Sequence, residues 1–386
     1  MSENMSKFRF LTAGESHGKA LTAIVEGLPA GLWLDEEYIA QDLARRQGGY
    51  GRGGRMKIEQ DRAEILSGVR HGITLGSPVA LLIRNKDWEN WQDEMSIAPT
   101  NKAPDPVTRL RPGHADLPGV IKYGFDDVRP ILERASARET AARVAVGAIA
   151  RRFLEECGIL LHSHTVDIGG KHARRTIEVD WQKVEASPVR CADAKTEKAM
   201  MVAIDEAREA GDTLGGTFEV VASNVPIGLG SHVHWDRRLD GSIAQAIMSI
   251  NAVKAVEIGA GFEVTGLRGS QVHDVIEHRD MSWHHTTNQA GGIEGGMSNG
   301  EDIVIRAIIK PIPTLGQPLP STDLHTKETA PAHIERSDVC VVPAAGVIGE
   351  AMLAIVLTGA MLEKFGGDSL REIQSNYQHF MSLHQG

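Results

Sequence analysis

The sequence predicts one large α+β domain in which strands and helices interleave irregularly rather than in regular βαβ order. Three observations carry this. Short alternating apolar runs and longer runs with apolar residues three and four apart occur along all 386 residues, in no fixed succession. No internal repeat and no Gly/Ser/Pro-rich linker divides the chain. The 41 glycines, with aromatics at only 5%, favour tight turns and Ala/Val/Ile packing over a large aromatic core.

The elements follow in order. FRFLTA and TAIVEGL alternate as strands on either side of the turn-like GESHG. In LDEEYIAQDLARR, Ile39 with Leu43 and Ala40 with Ala44 recur at helical spacing. KIEQD, EILSGV and SPVALLIRN read as short strands separated by glycines, and residues 88–119 as a Pro-, Asp- and Trp-bearing loop. RASARETAARVAVGAIARRFLEECG reads as one long Ala-rich helix stopped by Gly158. Its narrow face of Ala137, Ala141, Val144, Ala148 and Ile149 suits an interior position. A helix is expected near 196–210, a strand over 217–223, a helix-like run over 242–259 and a strand in DIVIRAIIKPIPT. The run AMLAIVLTGAML at 351–362, inside a helix over about 346–364, is too short to span a bilayer and reads as a buried core helix.

Composition narrows the function. Hydrophobic residues at 41% and charged ones at 24% are ordinary for a globular chain. A formal net charge of −10 argues against nucleic-acid or anionic-membrane binding, which a basic surface would serve. Basic clusters must then be local, as in a pocket. Cys157, Cys191 and Cys340 are odd in number and widely spaced, which fits reduced thiols of a cytoplasmic protein. The first residues lack the apolar core of a signal peptide.

Against this acidic background, residues 45–55 read RRQGGYGRGGR, with four arginines and five glycines in eleven positions. The segment formally satisfies G-x-G-x-x-G, but a helix leads in and strand-like sequence follows, the reverse of a dinucleotide fingerprint. RGG-type RNA-binding tracts are long and of low complexity, and this segment is single and bounded. An anion-binding loop fits better than either, and better than a plain solvated loop. Glycines let backbone N–H groups approach an oxyanion, while Arg46, Arg52 and Arg55 offer bidentate contacts.

Other motifs leave alternatives open. GESHG and RPGHAD each place a histidine, His17 and His114, in a glycine turn; each is either a solvated turn or a general acid. Arg134 and Arg138, four apart, imply an anionic ligand or a surface face paired with Glu133 and Glu139. GGIEGGMSNGED wraps a flat ligand or simply turns. Arg336 and Asp338 would share a face if that segment is extended. His162/His164, His232/His234 and His284/His285 lack the third ligand spacing of a zinc site, so no metal is expected. There is no P-loop signature.

Taken together, GESHG, RPGHAD, RASARETAARVAVGAIA, SINAVKAVEIGAGF, GGIEGGMSNGE and RSDVCVVPAA, in that order from about residue 8 to about 365, resemble the chorismate synthase family. The branch it resembles carries RRQGGYGRGGRM; Ala135 stands where many relatives have serine, and the 273–288 loop is longer than in the shorter members. The resemblance implies helices sandwiched between antiparallel sheets, a homotetramer, and conversion of 5-enolpyruvylshikimate 3-phosphate to chorismate and phosphate with reduced FMN. NADPH is implied as well if the enzyme reduces its own flavin. By motif match, His17 would protonate the departing phosphate, His114 would supply a proton near flavin N1 and Asp338 would assist at N5. Arg46 and Arg52 match positions for NADPH or substrate-side anions. Arg134, Ala135, Ser136, Asn251, Ala252, Gly295, Lys310, Pro311, Ile312, Pro313, Thr314 and Arg336 match FMN contacts.

Overall fold

The structure is a computed structural model, and it describes residues 7–54, 59–99, 104–174, 179–279, 282–335 and 338–383. The first region supplies β1 (Arg9–Gly14), β2 (Ala20–Glu26), β3 (Ala30–Trp33) and α1 (Glu36–Gln47). Asp35 caps α1 by accepting from the Tyr38 N–H, Glu36 and Glu37 lie in its first turn, and Arg45 and Arg46 in its last. Each charge thus sits at the end of the helix dipole that favours it. β4 (Ala63–Ser67), β5 (Val69–Arg70), β6 (Ile73–Leu75) and β7 (Val79–Arg84) follow. β1-β2-β7-β4 make an antiparallel sheet, and β3-β6-β5 a smaller one. Leu21, Ala23 and Val25 of β2 and Val79, Leu81 and Ile83 of β7 are buried, so period-two alternation points one face of the larger sheet inward.

Next come α2 (Asp116–Tyr123), α3 (Arg129–Ala135) and α4 (Thr140–Glu155). The single helix expected from residue 134 onward is broken at Ser136, whose side chain accepts from the Arg138 N–H. A capping serine offers the backbone an alternative to the helical ladder. Arg134 and Arg138 therefore share no helical face. Glu133 and Glu139 pair with neither of them: Glu133 takes His17 and Arg129, and Glu139 takes Arg143.

β8 (Leu160–Ile168), β9 (Lys171–His172), α5 (Trp181–Ala186), α6 (Ala194–Glu209), β10 (Gly216–Ser223), α7 (Leu239–Met248), β11 (Val253–Ile258) and β12 (Ile303–Ile309) form the second half. Strands β11-β12-β10-β8-β9 make a second antiparallel sheet. The run 242–259 is half helix and half strand: the chain turns at Asn251–Ala252, where Ala252 has φ +67, and Val253, Val256 and Ile258 then extend. KIEQD is no strand where it is described; Glu59 and Asp61 instead serve buried arginines, and Lys57 and Ile58 lie outside the described residues.

α8 (Val342–Phe365) and α9 (Leu370–Ser382) close the chain. α8 is 24 residues long, enough by length and apolarity to cross a membrane, but it is almost wholly buried as the central core helix. It packs on α4 and on β8 and β10, while α4 packs on β2 and β7. Helices thus fill the space between two antiparallel sheets, the sandwich that the resemblance implies. Gly147 of α4 permits the crossing, since a Cβ there would overlap Cα and Cβ of Ala351. Gly349 plays the same part against β10, where an added Cβ would lie 2.8 Å from Phe218 and Val220.

Gly147→Val is expected to cost about 3 kcal/mol, the upper end of overpacking costs, because rigid backbone rather than a flexible side chain stands in the way. Thermal melts check it; an unchanged Tm would mean the two helices do not meet as closely as described.

Candidate functional site

One cavity, of about 440 Å³, opens where the arginine-glycine loop, the Ser136 break, the Asn251–Ala252 turn and the start of α8 converge. α1 ends at Gly48, and Gly49 (φ +111) and Gly51 (φ +89) then turn the chain through the left-handed region. Gly51 packs so tightly that a Cβ would lie 3.0 Å from Ile204 and 3.2 Å from Cys340. The loop is stapled at both ends. The Tyr50 hydroxyl donates to Asp205 at 2.9 Å, and the Val339 N–H donates to Gly51 O at 2.8 Å. Asp338 holds the tip: its Oδ1 accepts from the Gly53 N–H at 2.5 Å, and its Oδ2 meets Arg52 Nη1 at 3.1 Å. Arg55 and Arg336 lie outside the described residues.

Arg45 and Arg46 are adjacent on α1, so helical geometry sends them about 100° apart. Arg45 turns away to Glu350, while Arg46 lines the cavity. Arg46 Nε donates to Thr140 Oγ1 at 2.9 Å, Nη2 donates to Ala137 O at 3.0 Å, and Nη1 lies 3.4 Å from Asp61. Arg138 Nη1 bridges both Asp61 oxygens at 2.6 and 2.7 Å, and Nε donates to Asn85. Its Nη2 is buried with no hydrogen bond, 3.8 Å from Glu59. Burial lowers the Arg46 proton affinity to about 9, with Asp61 opposing and Arg138 and Arg52 adding to the shift. The guanidinium stays charged near neutrality, in a crowd of like charges that an oxyanion would relieve.

The opposite wall comes from RPGHAD. Asp116, fully buried, accepts from Arg111 Nε at 2.9 Å and Nη2 at 3.0 Å, and its Oδ1 also pairs with His114 Nδ1. Burial alone would raise the Asp116 pKa, but the bonds from His114 and Arg111 outweigh it and hold this carboxyl well below its ordinary range. Lys310 reaches across to Gly113 O at 2.5 Å; burial, then nearby Lys254, lowers its proton affinity. Arg46, Arg52, Arg111, Arg138 and Lys310 thus outnumber the two lining carboxylates, Glu335 and Asp338. Between them the wall is apolar: Leu132, Ile250, Ile312, Pro313, Val341 and Ile348. Such a cavity suits a flat ring with anionic arms.

Of the residues expected from sequence, Arg46, Arg52, His114, Ala135, Ser136, Asn251, Ala252, Lys310, Ile312, Pro313, Thr314 and Asp338 line this cavity. His17 lies just behind the wall: Ser16 Oγ is 3.1 Å from Ser136 Oγ, and the His17 ring stacks on Trp91 at 4.0 Å. Three others are absent from the wall. Arg134 points to β1, donating to Thr12 O and Gly14 O at 3.1 Å. Pro311 sits between two lining residues, and Gly295 is at the turn of the hairpin joining Ile293–Glu294 to Met297–Ser298. Arg111, Thr140 and Glu335 line the cavity and were missed; Arg138, read from sequence as facing an anionic ligand or the surface, lines it too. Arg111 and Arg138 stood inside quoted motifs, but reading a continuous helix hid that Ser136 separates Arg138 from Arg134. Glu335 carried no signal.

The paired histidines form no metal cluster among the described residues. His162 stacks on Trp181 at 4.7 Å, His164 pairs with Glu219, and His285 with Glu294. The GGIEGG glycines build the short hairpin and its flanks, with Gly292 N–H donating to Asn288 Oδ1. All three cysteines are free and buried.

Comparison with known proteins follows the geometry. A family model described as "Chorismate synthase" matches residues 8–362. The chorismate synthase of Moorella thermoacetica is 61% identical over 370 residues, covering 95% of this chain and 96% of that one. That of Geobacter sulfurreducens is 57% identical over 387 residues, covering 97% and 98%. A solved structure titled "Crystal Structure of Chorismate Synthase" superposes with a TM-score of 0.79 at 46% identity, covering 98% of each chain.

Proposed function

The chain belongs to the chorismate synthase family, and from that premise we propose how its cavity carries out the family's reaction, the 1,4-anti elimination of phosphate from 5-enolpyruvylshikimate 3-phosphate. The observation that carries the reading is the pairing of five cationic side chains with an apolar wall in one cavity. The substrate bears a phosphate and two carboxylates, and FMN bears another phosphate. Gathering these in water would be opposed by their repulsion; fixed guanidiniums in a partly dry cleft reverse that balance.

The residues present fit a bound flavin. Asn251 Nδ2 donates to Ala135 O at 3.1 Å, while its Oδ1 is buried without a partner, so it can accept from an N–H on a ring edge. Ala252 is held at φ +67, a strained conformation for alanine that presents the turn to the cavity. Ala135, Ser136, Asn251, Ala252, Lys310, Ile312, Pro313 and Thr314 would hold the cofactor. Reduced FMN, when bound, supplies electron density for phosphate departure and a place for the non-acidic C6 hydrogen, with no net redox change.

The chain's own residues do the rest. Arg46, Arg52, Arg111 and Arg138 bind and orient the anions. We assign Arg46 to the substrate rather than to NADPH, because the residue is only 4% exposed and its guanidinium is fixed by Thr140 and Ala137. His17 moves a proton onto the oxygen of the departing phosphate. His114, fixed by Asp116, would supply a proton to the N1 edge of a bound flavin. Asp338 orders the loop through Arg52 and Gly53, and its carboxylate would assist at N5 of a bound flavin. Two wider features belong to the same proposal. Free buried cysteines support a cytoplasmic setting. A homotetramer is supported by the outer face of the first sheet, where Leu11, Ile24 and Leu66 are 76%, 50% and 59% exposed.

An anaerobic assay with dithionite-reduced FMN tests the function. Phosphate and chorismate should appear in equal amounts; no phosphate release from the substrate rejects the reading.

A further inference from the structure

We propose that Glu133 is the positioning residue for His17, fixing the ring so that proton exchange with the departing phosphate runs through Nε2. This rests on the reading of His17 given above. Glu133 lies on α3, three residues before Ser136 of the cavity wall, and its side chain is fully buried. A buried carboxylate must find donors or lose its charge. It finds both on one residue: Oε2 accepts from the His17 backbone N–H at 2.7 Å, and Oε1 meets His17 Nδ1 at 2.8 Å. The Arg129 guanidinium, at 3.5 Å, is the further cation beside it.

A tether for the GESHG turn alone would need less. The Ser16 N–H already donates to the Glu133 carbonyl at 3.1 Å, so backbone contacts anchor the turn. The ring contact adds something different. A carboxylate facing Nδ1 selects the tautomer with its proton there, which assigns the acid–base chemistry to Nε2. Two more contacts restrict ring rotation. Trp91 stacks on the His17 ring at 4.0 Å and 25°, and Arg129 lies over Trp91 at 5.1 Å. Glu133 and Arg129 both come from α3, so one helix fixes the imidazole from its edge and, through Trp91, from its face. At His114 the separate carboxylate of Asp116 also faces Nδ1, but there Arg111 Nη2 lies 3.0 Å from the same atom.

The test is a double-variant cycle on the full-length chain with reduced FMN, using E133Q, H17Q and E133Q/H17Q, with a melt of each. If Glu133 acts through His17, E133Q lowers kcat by about 10²–10³-fold with KM changed less than about threefold. The double variant is then no slower than H17Q, because groups that act as a unit are not additive. A kcat for E133Q near wild type while H17Q is slow overturns the proposal. So does a double variant slowed by the product of the two single losses, which marks a separate structural role. H17Q at wild-type rate instead removes the acid role of His17 itself. Should E133Q fail to fold, E133D, which keeps the charge one methylene shorter, enters the same cycle with the same two outcomes.

Discussion

Replacing His114 by alanine lowers turnover by about 10²–10⁴-fold, the range expected when a positioned acid is removed. His114 is the one of the two motif histidines that lines the cavity, and its side chain is 15% exposed. Its Nδ1 pairs with Asp116 and lies 3.0 Å from Arg111 Nη2, and Arg111 grips Asp116 through two side-chain N–H groups and one backbone N–H. Asp116 keeps its charge far into acid, since the bonds from His114 and Arg111 more than offset the cost of burying it. Alanine leaves Asp116 and Arg111 paired with each other, so the fold should survive and the melt should move little. Steady-state kinetics at saturating substrate check it. A near-normal rate with intact folding would remove His114 from the chemistry.

Replacing Glu350 by alanine costs about 3 kcal/mol, because it removes the fully buried carboxylate that Arg45, Arg151 and Arg190 share and leaves them only Asp42 and Glu185. Glu350 lies in the middle of α8 and is fully buried. Arg45 meets it with two N–H groups at 2.7 and 2.9 Å, Ser163 Oγ donates at 2.6 Å, Arg151 is paired with it, and Arg190 stands 3.3 Å away. One carboxylate therefore links α1, α4, β8 and α8. Burial would raise its pKa, but Arg151 and Arg45 outweigh that and lower it. A depressed folded-state pKa means the contribution is present above the ordinary carboxylate range and lost as pH falls through the folded value. The variant should therefore show a large drop in Tm at neutral pH and a smaller difference from wild type in acid. Because Arg45 precedes Arg46 on the same helical turn, turnover should fall as well. A variant as stable as wild type would mean that Asp42 and Glu185 alone suffice for these arginines.

Much of the fold was legible where periodicity was strong. β1, β2, β7, β10, β12, α1, α6 and α8 lie close to where alternation or helical spacing put them. Failures came where one residue overrides propensity. Ser136 breaks an Ala-rich run by accepting from the Arg138 backbone N–H, and the Asn251–Ala252 turn converts helix to strand within a continuous apolar stretch. KIEQD alternated like a strand, yet Glu59 and Asp61 are there to neutralise Arg138. The arginine-glycine loop was readable as an anion site because glycine and arginine have distinct chemical reasons to occur together. The apolar wall was not readable: Leu132, Ile250 and Ile348 look like any core residues until three segments distant in sequence meet. Glu133 entered the sequence reading only in the alternative of a surface face paired with arginine, since no local pattern places it under a histidine 116 positions away.

The central claim is that a single guanidinium-lined cavity takes flavin and phosphorylated substrate together. Titrating FMN into the protein by fluorescence, with and without 5-enolpyruvylshikimate 3-phosphate, tests it most directly. The account predicts that FMN binds more tightly when the substrate is present, and that R52A and R138A lose this gain. Unchanged affinity, or competition between the two ligands, would contradict it.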